Sequence, residues 1–131
     1  MRTVVLLLSI SLIASATLAA EERYLCTIER AYSLGPSGLS RNRRLMADLV
    51  TTSFEIDRRT GAVTGSRLEN LRDNPIVVAP GDNENSFQAY WIVRGLSGAR
   101  VRFIEVQEYV EGQSKPFRAV VQNWTYTGSC E

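Results

Sequence analysis

Residues 50–57, VTTSFEID, alternate strictly: Val50, Thr52, Phe54 and Ile56 fall on one face, Thr51, Ser53, Glu55 and Asp57 on the other. Side chains repeat every two residues only in a strand, so this pattern commits the segment to a half-buried β-strand. The same period returns in SFQAYWIVRG (86–95), where Phe87, Ala89, Trp91 and Val93 share a face. RYLCTIERAYSL (23–34) and FRAVVQNWTYTGSC (117–130) read as the first and last strands. NPIVVAPG (74–81) is a short strand between prolines, which places it near an edge or bend. In RVRFIEVQEYVEG (100–112) the apolar phase slips: Val101 and Phe103 lie on one face, Ile104, Val106 and Val110 on the other. A bulge near Phe103 or Ile104 is expected to reconcile them.

Turn chemistry separates these runs. RRTG (58–61) before AVTGSRL, LSGA (96–99) and GQSKP (112–116) each carry a glycine that can take positive φ. The only helical candidate is SRNRRLMADLV (40–50), with Ser40 as its cap. The sum is an all-β fold: a small antiparallel meander of about seven or eight strands, closed or nearly closed into a barrel, with a β-sandwich as the alternative.

Two cysteines, Cys26 and Cys130, stand near the two ends of the chain that follows residue 20. The first twenty residues, MRTVVLLLSISLIASATLAA, have the basic start, apolar core and small-residue end of a secretory signal. The expectation is a cleaved signal peptide over 1–20 and a single β-domain over 21–131, exported to the periplasm or beyond the cell. The apolar core is too short for a membrane anchor. In an oxidising compartment the cysteine pair reads as a disulfide, which lays the first and last strands side by side.

Composition removes several function classes. The chain contains no histidine, which excludes Ser-His-Asp and Cys-His catalysis and most transition-metal sites. With both cysteines in a disulfide, a thiol nucleophile is excluded too. There are 15 basic and 14 acidic side chains, a balance that argues against general nucleic-acid binding. All basic residues but Lys115 are arginine, as in the coding of a GC-rich, bacterial genome. No metal, no cofactor and no stable membrane insertion of the mature chain are expected.

What remains is carboxylates, loops and aromatics. Glu55 with Asp57, and Glu105 with Glu111, share faces if their strands stay regular. A glycosidase pair needs one carboxyl held protonated by an apolar setting, and neither pair has one. PGDNENS (80–86) is rich in oxygen ligands but lacks the spacing of a calcium loop, and reads as a polar hairpin tip. The sequon NWT (123–125) lies in an alternating strand and is discounted.

Arg41, Arg43 and Arg44 follow a Gly/Ser/Pro-rich loop, and Arg58 and Arg59 occupy a hairpin tip. Loops concentrate function, and converging guanidinium groups would bind an anionic partner. Phe87, Trp91, Trp124 and Tyr126 are candidates to fill the core, or to line an apolar pocket if the interior is hollow. Tyr90, in opposite phase to Trp91, should lie outside, beside Gln88 and Arg94.

The leading expectation is a non-enzymatic exported domain that binds a protein or anionic polymer through arginine-bearing loops, as a hydrolase inhibitor or envelope accessory protein does. A carrier of a small apolar ligand is the alternative, and a carboxylate hydrolase the third. In general plan the chain is similar to lipocalin-like carriers and to periplasmic inhibitors of hydrolases, at the level of architecture only.

Overall fold

The computed structural model describes residues 22–41, 43–49, 52–65, 68, 75–82, 84–95 and 98–131. The signal-like segment over 1–20 lies outside the described residues. Among the described residues, nine strands and one short helix follow in the order β1 (Arg23–Gly35), β2 (Gly38–Arg41), α1 (Arg43–Leu49), β3 (Ser53–Asp57), β4 (Val63–Thr64), β5 (Ile76–Pro80), β6 (Phe87–Gly95), β7 (Gly98–Val106), β8 (Lys115–Val121) and β9 (Trp124–Cys130). They form one antiparallel sheet in the order β4-β3-β1-β9-β8-β7-β6-β5, with β2 paired to the outer half of β1. A single continuous sheet rules out the sandwich.

The eight-strand path curls into a half-barrel whose terminal strands are β4 and β5. Side chains close what the ladders leave open. Gly61 in the β3–β4 turn has φ 73°, and a Cβ there would sit 3.2 Å from Val77 on β5 and 3.2 Å from Ala89 on β6. A larger residue would push the two ends of the sheet apart.

The first and last strands are neighbours. Cys26 pairs directly with Cys130 across β1 and β9, and the two form a disulfide. Leu25 and Glu131 exchange both backbone hydrogen bonds just beyond it. The ladder slips between Ile28 and Arg30, and there Gly128 is obligatory, since a Cβ would lie 1.9 Å from the Thr27 carbonyl oxygen.

Inward-facing residues from every long strand build the core. Trp91, Phe54, Phe87, Ile28, Ile56, Ile104 and Val106 are fully buried. Phe54 meets Phe117 edge to face at 5.2 Å, and Tyr24 meets Phe87 at 5.4 Å, arrangements the ring quadrupole favours. Leu49 of α1 and Leu68 are buried in the same cluster.

Several expectations are corrected. FRAVVQNWTYTGSC is two strands, not one, folded at Gln122–Asn123, where Gln122 has φ 57°. The apolar phase shows why: Phe117, Ala119 and Val121 point inward before the turn, Trp124 and Tyr126 after it. Asn123 of the sequon is therefore in an exposed turn. β7 has no bulge, because its pairing with β6 is regular from Phe87↔Val106 to Gly95↔Gly98. The phase slip instead reflects Val101 and Phe103 facing outward; the irregular registers fall in β1 and β5. β7 stops at Val106, so Glu111 is in a loop and shares no strand face with Glu105. The expected helix exists as α1, but Ser40 sits in β2, near Ser33 across the ladder at 3.3 Å, and does not cap it.

Candidate functional site

The barrel has two unlike ends. One carries the strand termini Arg23, Asp57, Pro80, Phe87, Val106, Lys115 and Cys130; it is called here the disulfide end. The other carries the β1–β2, β6–β7 and β8–β9 turns and is called the hairpin end.

At the disulfide end a buried polar cluster ties three segments together. Glu108, in the β7–β8 loop, is buried and accepts a hydrogen bond from the Tyr24 hydroxyl of β1. Arg58, in the β3–β4 turn, pairs with the same carboxylate at 2.8 Å. Arg58 also donates to the Gly81 carbonyl and lies 4.8 Å over the Tyr24 ring. Burial, reinforced by the hydrogen bond to Glu108, pushes the Tyr24 phenol well above its ordinary range. Burial raises Tyr126 as well. Asp57 closes the same turn: the Thr60 backbone N–H, with that of Arg59, holds its carboxyl below the usual range. Asp82 does likewise in the β5–β6 turn, accepting from the backbone N–H groups of Glu84 and Asn85. That is the polar hairpin tip expected of PGDNENS.

The outer wall carries a second buried acid. Glu105 faces outward on β7, pairs with Arg118 of β8 at 2.6 Å and accepts from Gln88 of β6 at 3.2 Å. Arg118 in turn leans over the Phe103 ring at 5.7 Å. Two residues further toward the hairpin end, the register aligns Ile76, Tyr90, Phe103, Val120, Thr125, Tyr32 and Arg41 across seven strands.

Beyond that row the character changes. Leu34 pairs with Leu39 in the β1–β2 hairpin, and Ile92 with Val101 in the β6–β7 hairpin. All four aliphatic side chains are 45–61 % exposed. Arg94 and Arg100 are exposed in the second hairpin, and no strand or hairpin residue described beyond the row is acidic. Between the hairpins, Arg100, Val101, Gln122 and Asn123 line a notch floored by the β8–β9 turn.

The five arginines singled out from sequence do not meet. Arg41 ends β2, and Arg43 and Arg44 open α1; all three are exposed. Arg58 and Arg59 sit at the opposite end, roughly 30 Å away along β1 at ~3.3 Å per residue. Arg59 is exposed, whereas Arg58 is committed to Glu108 and Gly81. Phe87 and Trp91 are fully buried and Tyr126 nearly so, with Trp124 packed against them, so these aromatics fill the core. Tyr90 lies on the outer wall, as its phase required.

Two features escaped sequence reading. The Tyr24–Glu108–Arg58 cluster joins residues far apart in sequence and leaves no local signal. The exposed aliphatic pairs did leave one, in the out-of-phase Val101 and in Leu34 and Leu39 flanking GPSG. Among the described residues no group of three or more Cys, Asp or Glu side chains is arranged to hold a metal ion. No family model matches the chain, and comparison with curated proteins and with solved structures gives no significant match.

Proposed function

We propose that this is an exported, non-enzymatic binding domain whose arginine-bearing surface near the hairpin end engages a protein or anionic partner. The observation that carries the reading is the distribution of charge. Arg41, Arg43, Arg44, Arg94 and Arg100 are exposed there, while Glu22, Glu55, Asp57, Asp82, Glu84, Glu108, Glu111 and Glu131 collect toward the disulfide end, with Asp48 of α1 the acid set beside Arg43 and Arg44. Arg41, Arg94 and Arg100 lie on strands with no acidic residue described beyond the Tyr32–Tyr90 row, which leaves their bidentate donors for an external anion, whereas Arg43 and Arg44 share α1 with Asp48. Arg58 and Arg59 drop out of the proposed site on position alone.

The carrier reading is less well supported, because Phe87, Trp91 and Tyr126 are packed among other core side chains rather than around a cavity. The carboxylate-hydrolase reading lacks a poised pair: Glu55 is bound to Arg23 at the surface and Asp57 is spent on its own turn.

The test uses two polyanionic probes, heparin and polyglutamate, immobilised and challenged with wild-type protein and with an Arg41→Ser/Arg43→Ser/Arg44→Ser variant. Salt-sensitive retention that the variant loses is the expected result, since exposed charge pairs are screened by ions. Equal retention of the two proteins defeats the reading.

A further inference from the structure

We infer that the hairpin end docks peripherally on an anionic lipid surface, with Leu34, Leu39, Ile92 and Val101 entering the headgroup region and Arg41, Arg94 and Arg100 pairing with lipid phosphates. This rests on the reading above and names its partner.

Shape comes first. The β8–β9 turn stops one residue beyond the Tyr32–Tyr90 row, at Val121↔Trp124. The β1–β2 hairpin runs three residues past the row, to Gly35↔Gly38, and the β6–β7 hairpin five, to Gly95↔Gly98. Two prongs therefore project from one end of a rigid sheet, about 14 Å apart across the intervening β9 and β8 at ~4.8 Å per strand. Each prong carries an exposed aliphatic pair on its outer face.

The chemistry of those side chains selects the occupant. Protein interfaces draw their affinity from buried Trp, Tyr and Arg anchors, with Leu and Val under-represented. Here the tyrosine and phenylalanine of the outer wall are set back in the row behind, half-buried, and the parts that project are aliphatic. Aliphatic insertion flanked by basic side chains is how a surface-bound domain holds an anionic leaflet. Aliphatic groups ask no shape complementarity of lipid tails, and arginine forks suit phosphate oxygens.

Electrostatics orients the approach. Near an anionic surface, a barrel with most of its described acids toward one end and the exposed Arg41, Arg94 and Arg100 at the other experiences a torque that turns the hairpin end inward. The contact is peripheral: among the described residues no helix is long and apolar enough to cross a membrane, and the proposal needs only hairpin tips.

Sedimentation with vesicles tests it. The full mature protein is mixed at low and high salt with phosphatidylcholine vesicles, with or without phosphatidylglycerol. Binding should require phosphatidylglycerol, weaken with salt, and fall roughly tenfold or more when Arg94→Ser and Arg100→Ser are combined. Leu34→Ser/Leu39→Ser should weaken it comparably; if that variant misfolds by circular dichroism, Ile92→Ser/Val101→Ser on the other prong reads the same quantity. Arg59→Ser at the far end should bind as wild type. Absence of vesicle binding, or binding indifferent to both aliphatic variants, overturns the inference. Should heparin and polyglutamate still be retained through Arg41, Arg43 and Arg44 in that case, the partner is an acidic macromolecule and the broader reading survives. Loss of both kinds of binding removes the two together.

Discussion

The two ends of the barrel use arginine for opposite purposes. At the disulfide end arginine and glutamate are turned on each other. Arg58, Glu108 and Tyr24 bind three segments, and Arg23 pairs with Glu55 across β1 and β3. At the hairpin end Arg41, Arg94 and Arg100 are exposed while Arg102 is half-buried, and among the described residues no strand or hairpin position beyond the Tyr32–Tyr90 row is acidic. The lesson is that charge count says little about a small barrel, whereas the location of each charge relative to the core says which ones hold the molecule together. Substitutions should therefore separate cleanly, costing stability at one end and binding at the other.

The largest stability loss should come from Cys26→Ser. The disulfide closes a loop with a sequence separation of 104, for which chain-entropy estimates reach about 4–5 kcal/mol. Urea midpoints that do not move would show that the bridge contributes nothing. Arg58→Ala comes next, at about 3 kcal/mol, because it strands the buried Glu108 carboxylate. The lower part of the usual range applies, since the Arg58 side chain keeps 26 % of its surface exposed. Combining it with Glu108→Gln should recover part of the loss; two fully additive effects would break the proposed coupling.

A smaller effect is expected from alkaline pH. The folded Tyr24 and Tyr126 phenols have raised pKa values, so the native state holds their protons after the unfolded chain has begun to release them. Their contribution is complete below about pH 10, the ordinary tyrosine value, and declines as pH rises past it. Tyr24→Phe should flatten that alkaline decline, measured by urea unfolding across the range. An unchanged slope would mean that Tyr24 is not linked to folding. The smallest change belongs to the triple serine variant at Arg41, Arg43 and Arg44, within about half a kcal/mol, as for exposed substitutions generally. A larger cost would show that these arginines support the fold, which would erase the contrast between the ends.

How much of this was legible in the sequence depended on the range of the interaction. The strand around Phe54 and Ile56, the Gly61 turn, and β5 at the end of the sheet followed from local alternation and turn chemistry. The Cys26–Cys130 pair correctly placed the first and last strands together. The split at Gln122–Asn123 was hidden because neither residue is glycine or proline, although the change of apolar phase between Val121 and Trp124 marked it. Val101 misleads for a related reason. An apolar residue out of phase suggests a bulge, whereas here it simply faces water. The Glu108 cluster was invisible because it exists only once the sheet has curled.

The adjacency of β1 and β9 also dictates an order of events. During synthesis β1 can pair with β2 and β3 early, and β5 through β8 can form their own meander, but the β1–β9 ladder must await the segment ending at Cys130. Until then β1, an interior strand of the finished sheet, has an open edge, and its cysteine has no native partner. An unpaired edge is a template for association with other chains. The interval before the last strand emerges is therefore the period in which this chain is most exposed to self-association and to wrong thiol pairing, and the final pairing ends both at once.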